Sequence, residues 1–231
     1  FDLPEGVTPY LCDTSRVDTL LTACSGAETV YHTAALVSIG IRKYSELYEA
    51  NVALTRRVIE ACLKAGVSRL VYSGTIEAFD LLGGGYPVTE ETPIEPSRTV
   101  LPYGETKALA VMEVERAVEN QGLNAVSVFP TAFLGPYDYK ISAMTKLVID
   151  FMRCRIPAGI GGGFDFVDAR DVASGMILAA QNGTIGDRYM LPGSYATVTG
   201  LFSLLEKITG KPAPRLRLPA AIAPAIGFAA E

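Results

Sequence analysis

Tyr103 and Lys107 stand four residues apart in Tyr103-Gly104-Glu105-Thr106-Lys107, at the start of a segment whose apolar residues repeat at helical spacing. Residues i and i+4 of a helix share a face, so the lysine ammonium can lie close to the tyrosine phenol. A free phenol, with a pKa near ~10, is a poor base at neutral pH, and a neighbouring positive charge favours the phenolate. The pair therefore suits exchange of a proton with a substrate hydroxyl or carbonyl. Taken alone, the same spacing is common on exposed helices, where it is only a surface pair.

Two further segments supply context. Arg69-Leu70-Val71-Tyr72-Ser73-Gly74-Thr75 reads as a strand with small hydroxyl residues at its carboxyl end, the place where open α/β sheets bind ligands. A Ser/Thr-rich turn after a strand is the plain alternative. Val30-Tyr31-His32-Thr33-Ala34-Ala35-Leu36 reads as a buried strand that breaks into two alanines, whose small side chains let a flat cofactor approach the backbone. His32 is the only histidine of the chain, and its expected role is a satisfied core or strand-end residue rather than a catalyst or metal ligand.

The pairing of a strand-end hydroxyl with a later Tyr-x-x-x-Lys resembles the extended short-chain dehydrogenases, a family that includes sugar epimerases and dihydroflavonol-reductase-like proteins. The resemblance implies a catalytic set of Thr75, Tyr103 and Lys107, with NAD or NADP as cofactor. By the family's Ser/Thr-Ser-Ser/Thr pattern, Thr75 matches the catalytic hydroxyl and Ser73 the position nearer the nicotinamide, while Gly74 departs from the usual serine. Thr33, Ala34, Ala35 and Leu36 resemble the family's His-x-Ala-Ala turn along the cofactor ribose and phosphates. Asn51 matches the asparagine of an Asn-x-x-Gly-Thr stretch, with Leu54 in place of the glycine, which implies that it orients the lysine or the cofactor. An ordinary helix-interior amide is the alternative.

Val128-Phe129-Pro130-Thr131-Ala132-Phe133-Leu134-Gly135-Pro136 is similar to the family's strand-end Pro-x-x-x-x-Gly-Pro, which places Pro130 and Phe133 near the nicotinamide; Phe129 stands where an arginine is frequent. Leu11-Cys12-Asp13-Thr14 is similar to the turn that meets the adenine, making Asp13 and Thr14 cofactor candidates, with loop capping as the alternative for Asp13. Phe166-Val167-Asp168-Ala169-Arg170-Asp171-Val172-Ala173 resembles a family segment too, but its acids and arginine are assigned to helix capping and ion pairing.

The elements that must position these residues alternate between strand and helix, the signature of a parallel sheet covered on both faces. Strands are expected at 7–12, 29–33, 69–73, 124–129 and 188–191. Helices are expected from a Ser15-Arg16-Val17-Asp18 capping box to about Ala23, and over 46–65, 103–120, 142–154, 171–181 and 200–209, with a turn-rich stretch at 159–163. The fold class is thus α/β, a Rossmann-like doubly wound sheet with a small C-terminal substrate lobe. Residues 1–135 form the dinucleotide-binding domain and 136–231 mainly the lobe, interleaved with the last strands.

A family member opens with a strand, a glycine-rich turn and a helix whose N-terminus carries the pyrophosphate, and no such turn precedes residues 7–12. Gly83–Gly85 and Gly161–Gly163 do not follow a strand and open a long helix, so both read as loops. Strands one and two are therefore expected in an additional N-terminal segment. In the order 3-2-1-4-5-6, residues 7–12 would be strand three and 29–33 strand four, separated by about 14 Å.

With 231 residues, 49% hydrophobic, and no low-complexity tract, the chain can bury a core and is not disordered. A net charge of −5 and scattered basic residues give no nucleic-acid footprint. Cys12, Cys24, Cys62 and Cys154 show no CxxC spacing, so neither disulfides nor zinc are expected, and the cytoplasm is the expected compartment. No membrane span is expected, and the apolar tail 218–230 reads as a helix packed on its own protein. A small-molecule substrate is the expected partner, with a homodimer formed through the two long helices. Leu36, Ile76, Phe79 and Phe133 lean the substrate away from a sugar nucleotide. A non-catalytic dinucleotide-binding sensor or scaffold of the same fold is the competing reading.

Overall fold

The computed structural model describes residues 5–38, 43–81 and 87–218. Its main sheet is parallel and ordered β1-β2-β3-β7, from β1 (Thr29–His32), β2 (Arg69–Ser73), β3 (Ala125–Pro130) and β7 (Arg188–Leu191). Every residue of β3 is buried, as a strand covered on both faces requires. One face is covered by α1 (Val17–Cys24), α3 (Leu54–Ala65) and α4 (Pro102–Gln121), whose Leu20, Val58, Ile59, Val111 and Val114 pack with Leu70, Tyr72 and Phe129. The other is covered by α6 (Ala169–Asn182), whose Val172, Met176 and Ala179 meet Val71, Val126 and Val128. Alternate residues of one strand thus feed opposite faces of the sheet.

The two long helical stretches end where the sequence places glycine. Gly66 and Gly122 take φ of 68° and 70°, the left-handed conformation that closes a helix at little cost only for residues without a Cβ. The first stretch is not uniform: α2 (Tyr44–Tyr48) passes into a π-helical turn, Glu49–Ala53, before α3. A 3.6-residue apolar period does not reveal that extra residue in the turn, yet such insertions often mark functional sites.

Residues 7–12 are not a strand. They run exposed, with Leu11 99% accessible, and β1 pairs only with β2 among the described residues. Strand geometry needs a partner ladder, and Pro9 offers no N–H to one. The Ser15 capping box is not formed either: the Ser15 amide and hydroxyl both donate to Asp13 Oδ1, at 2.9 and 2.7 Å, and α1 starts behind Arg16 without a side-chain cap.

Beyond β3 a second sheet is ordered β4-β6-β8, from β4 (Ala132–Leu134), β6 (Gly163–Asp168) and β8 (Ser194–Thr197). A third pairs β5 (Ala158–Ile160) with β9 (Leu216–Leu218). The expected turn at 159–163 is therefore shorter, because Gly159 lies in β5 and Gly163 opens β6. Gly163 is a strand glycine for packing reasons: a Cβ there would stand 2.7 Å from the Tyr195 hydroxyl. Helices α5 (Ala143–Met152) and α7 (Val198–Thr209) stand close to expectation, and Asp168 caps α6 through the Arg170 amide at 2.8 Å while pairing with its guanidinium. Gly83–Gly85 and most of the apolar tail lie outside the described residues.

Candidate active site

Strand β2 ends at Ser73, and the chain turns through Gly74 and Thr75 into a single 3-10 turn, Ile76–Ala78, capped by the Thr75 hydroxyl accepting from the Glu77 amide at 3.3 Å. Helix α4 starts on Pro102, a residue pre-set for a first helical turn. The next residues must approach the Glu77 carbonyl very closely. A Cβ on Gly104 would collide with that oxygen, so glycine here lets the helix start dock against the β2 turn. This docking brings Tyr103 to Thr75 and Glu77, and it buries Thr106 and Lys107 against the strand end.

Lys107 is 3% exposed and donates from Nζ to the Ser73 carbonyl oxygen at 2.6 Å, with the Tyr72 ring beneath it at 4.5 Å from the centroid. Burial pushes its ammonium down to about 7. An ammonium carries three donors, and the bond to Ser73 is the one Lys107 makes among the described residues, so donors remain for a diol such as a cofactor ribose.

The expectation that Lys107 lowers the phenol of Tyr103 is not met. Burial and then the Glu77 charge push Tyr103 upward, while a hydrogen-bonding interaction with the Thr75 side chain works the other way. Desolvation outweighs any help from a lysine turned towards Ser73 and Tyr72. Tyr103 therefore stays protonated at neutral pH. Glu77, itself raised by burial, is absent from the sequence-derived set; its position two residues after Thr75 was the available signal.

Behind these groups lies a buried polar chain. Asn51, in the π-helical turn, accepts from the Leu36 amide at 2.8 Å and donates to the Leu36 carbonyl at 3.1 Å and to Thr106 Oγ1 at 3.0 Å. It therefore ties the loop after β1 to the helix that carries Tyr103 and Lys107. His32 pairs with Thr55 Oγ1 at 2.9 Å, is driven down to about 4 by burial and then by Lys107, and so stays neutral and structural.

Thr33, Ala34 and Ala35 follow β1 as an exposed shelf beside the end of β2, with which His32 is in register opposite Tyr72. Pro130 is buried at the end of β3, whereas Phe133 is 54% exposed on β4. Phe79 does not line the site: it is fully buried, edge-on to Phe129 at 4.9 Å. Asp13 and Thr14 lie apart from Tyr103, lining a cleft of about 550 Å³ with Glu49, Ala50 and Arg57. Arg57 donates to the Thr14 carbonyl at 2.8 Å and pairs with Glu49 at 2.7 Å, which fixes that loop.

The spare donors of Lys107, the small-residue shelf and the strand-end hydroxyls fit the nicotinamide-ribose end of a dinucleotide. Among the described residues no glycine-rich turn joins a strand to a long helix, and no cluster of His, Cys, Asp or Glu could hold a metal ion. No helix of the described residues is long and apolar enough to cross a membrane.

Comparison with known proteins agrees with this geometry. The chain belongs to the NAD dependent epimerase/dehydratase family, whose pattern it matches over residues 3–191. It is 35% identical over 197 residues to sterol demethylase protein B of Methylococcus capsulatus, covering 85% of this chain and 60% of that protein. It is 34% identical over 200 residues to a putative dihydroflavonol 4-reductase of Synechocystis, covering 84% of this chain and 57% of the relative. The chain thus spans about 60% of the length of these curated relatives. Its fold superposes on the crystal structure of gox2253 with a TM-score of 0.84 at 31% identity, covering 92% of this chain and 65% of that one. A dTDP-glucose 4,6-dehydratase from Streptomyces venezuelae, solved with NAD, shares the fold with a TM-score of 0.79 at 22% identity, covering 90% of this chain and 65% of its own.

Proposed function

We propose that this chain carries the acid/base and nicotinamide-facing part of an NAD(P)-dependent reductase that acts on a keto or hydroxyl group of a small organic substrate. The observation that carries the reading is the meeting of Thr75, Tyr103 and buried Lys107 at the end of β2. When bound, the nicotinamide supplies hydride chemistry, and the side chains supply the rest. Thr75 hydrogen-bonds the substrate oxygen. Tyr103, held protonated, donates its phenolic proton to that oxygen as negative charge develops on it, which favours reduction of a carbonyl as the working direction. Lys107 holds the ribose with its free N–H groups, and residues 33–36 supply a flat floor, fixed by Asn51.

The substrate class in this reading is an apolar ring bearing the carbonyl. Exposed Phe133 supports it, and so do relatives above 30% identity named for sterol and dihydroflavonol chemistry. Residues 136–231, with the β4-β6-β8 sheet, would form most of the substrate side.

The test is reduction of a panel of cyclic ketones with NADH and NADPH by the chain and by Tyr103→Phe. Loss of turnover by at least about a hundredfold, with dinucleotide binding intact, is expected. A parent that binds dinucleotide but reduces none of the ketones, with Tyr103→Phe matching it in every binding assay, would favour a dinucleotide-binding sensor instead.

A further inference from the structure

Lys107 poses a problem that the catalytic reading leaves open. Its ammonium is almost wholly buried, and it faces no carboxylate in an ion pair among the described residues. An isolated ammonium in such a place favours its neutral form, in which it can neither attract an oxyanion nor offer three donors. Something must favour the charge. The groups facing it are few: the Ser73 carbonyl and the Tyr72 ring from β2 and His32 from β1, while Tyr103 of its own helix meets Thr75 and Glu77.

Tyr72 is 1% exposed, and its ring face lies under the ammonium at 4.5 Å, well inside the range at which a cation is attracted by an aromatic quadrupole. The ring is held from its other neighbour by His32, edge-on at 5.6 Å, and His32 is in turn fixed by Thr55. The Tyr72 hydroxyl is buried and faces Thr55 without a hydrogen bond of good geometry, so the hydroxyl is not what the site uses. His32 stays neutral, so it does not compete with the lysine for the same ring.

We infer that Tyr72 is a positioning residue: the π face of its ring, locked by His32, favours the charged form of Lys107 and aims it across the end of β2. The inference rests on Lys107 being the cofactor-facing cation proposed above, but its physical content is independent of any cofactor. An ion pair would be the stronger device for keeping the charge. A carboxylate here, however, would also neutralise the field at the phenol and ribose, whereas a ring leaves the ammonium's full charge and spare donors available.

The experiment follows the side-chain resonances of Lys107 by NMR in the lysine-labelled full chain, assigned with Lys107→Met, and titrates them with pH. Removing an attraction to the charged form lowers a lysine's titration point. Tyr72→Phe is expected to leave the midpoint within about 0.3 unit, and Tyr72→Leu to lower it by about one unit, a roughly tenfold loss in the charged-to-neutral ratio. Because leucine could disturb the core, a series of ring-fluorinated phenylalanines at position 72 gives a near-isosteric control. Each added fluorine drains the π face, and the midpoint is expected to fall stepwise. A midpoint indifferent to both leucine and fluorination would overturn the inference, as would a shift in Tyr72→Phe as large as in Tyr72→Leu. Failure of the catalytic reading would appear separately, as a parent chain that binds no NADH or NADPH while its Lys107 titration still responds to the ring.

Discussion

The ring of Phe129 occupies the space that a side chain on Gly74 would need: a Cβ built on Gly74 would stand 2.6 Å from two of its ring carbons. The two residues are also the two places where the strand-end motifs depart from the family pattern, a serine replaced by glycine and a frequent arginine replaced by phenylalanine. They are one packing solution. Phe129 fills the core against Phe79, and residue 74 gives up its side chain to admit it.

Gly74→Ser is therefore expected to destabilise the fold by about 2 kcal/mol through overpacking. Shortening the neighbour should restore part of this, so Gly74→Ser with Phe129→Val should be less destabilised than the sum of the single changes. Denaturant melts of the four proteins measure the coupling. Simple additivity would mean that the two departures are unrelated.

Gly104 sets the distance between α4 and the turn after β2. In Gly104→Ala the helix start must back away from the Glu77 carbonyl, carrying Tyr103 from Thr75. The expected result is a loss of about 2 kcal/mol in stability and a fall in turnover of at least about tenfold in the fraction that remains folded. Turnover equal to the parent in folded Gly104→Ala would show that the close approach is not needed for chemistry.

Lys107 gives stability a pH dependence of defined sign. Its folded value of about 7 lies below the ordinary lysine value, so between these the unfolded chain binds a proton that the folded chain does not. The cost of burying the charge is fully present below pH 7 and is relieved as pH rises, by up to about 1.4 kcal/mol per pH unit. Cys62, pushed up to about 12 by burial, opposes this once unfolded thiols ionise near pH 9, so the clean window is about pH 7 to 8.5. Urea melts across that window should show stability rising in the parent and flat in Lys107→Met. A flat parent profile would contradict the burial assigned to the ammonium.

Glu77 raises the proton affinity of Tyr103, so its removal acts in the opposite sense. Glu77→Gln should lower the pH at which the Tyr103 phenol ionises, read as the tyrosinate absorbance difference against Glu77→Gln with Tyr103→Phe. An ionisation that does not move would take Glu77 out of the acid/base account.

Much of this was legible in the sequence, for reasons that can be stated. Strands β2 and β7 fall on their expected residues because short apolar runs bounded by turns allow little else, and Gly66 and Gly122 mark the ends of α3 and α4 directly. The Tyr103 and Lys107 pair was legible from its four-residue spacing and Thr75 from the resemblance to a family pattern, and the fold sets Tyr103 beside Thr75 and Lys107 against Ser73 at the end of β2. Effects that depend on distant partners were not legible. Residues 7–12 have strand composition but no ladder, Phe79 has the character of a pocket residue but fills the core, and Gly163 has turn composition but lies under Tyr195. The strands β4 and β9, three residues each, are too short to announce themselves, and the π-helical turn that aims Asn51 leaves the apolar period intact. Tyr103 is the sharpest case: a nearby lysine in sequence predicts a lowered phenol, and burial with Glu77 raises it.

The central claim is that Lys107 and its surroundings receive a nicotinamide dinucleotide. The direct measurement is titration of the 231-residue chain with NADH and NADPH, following nicotinamide fluorescence and thermal stability together, in parallel with Lys107→Met. The account predicts saturable binding that raises the melting temperature of the parent and is weakened at least about tenfold in Lys107→Met. A folded parent that binds neither dinucleotide, or a variant that binds both as well as the parent does, would contradict it.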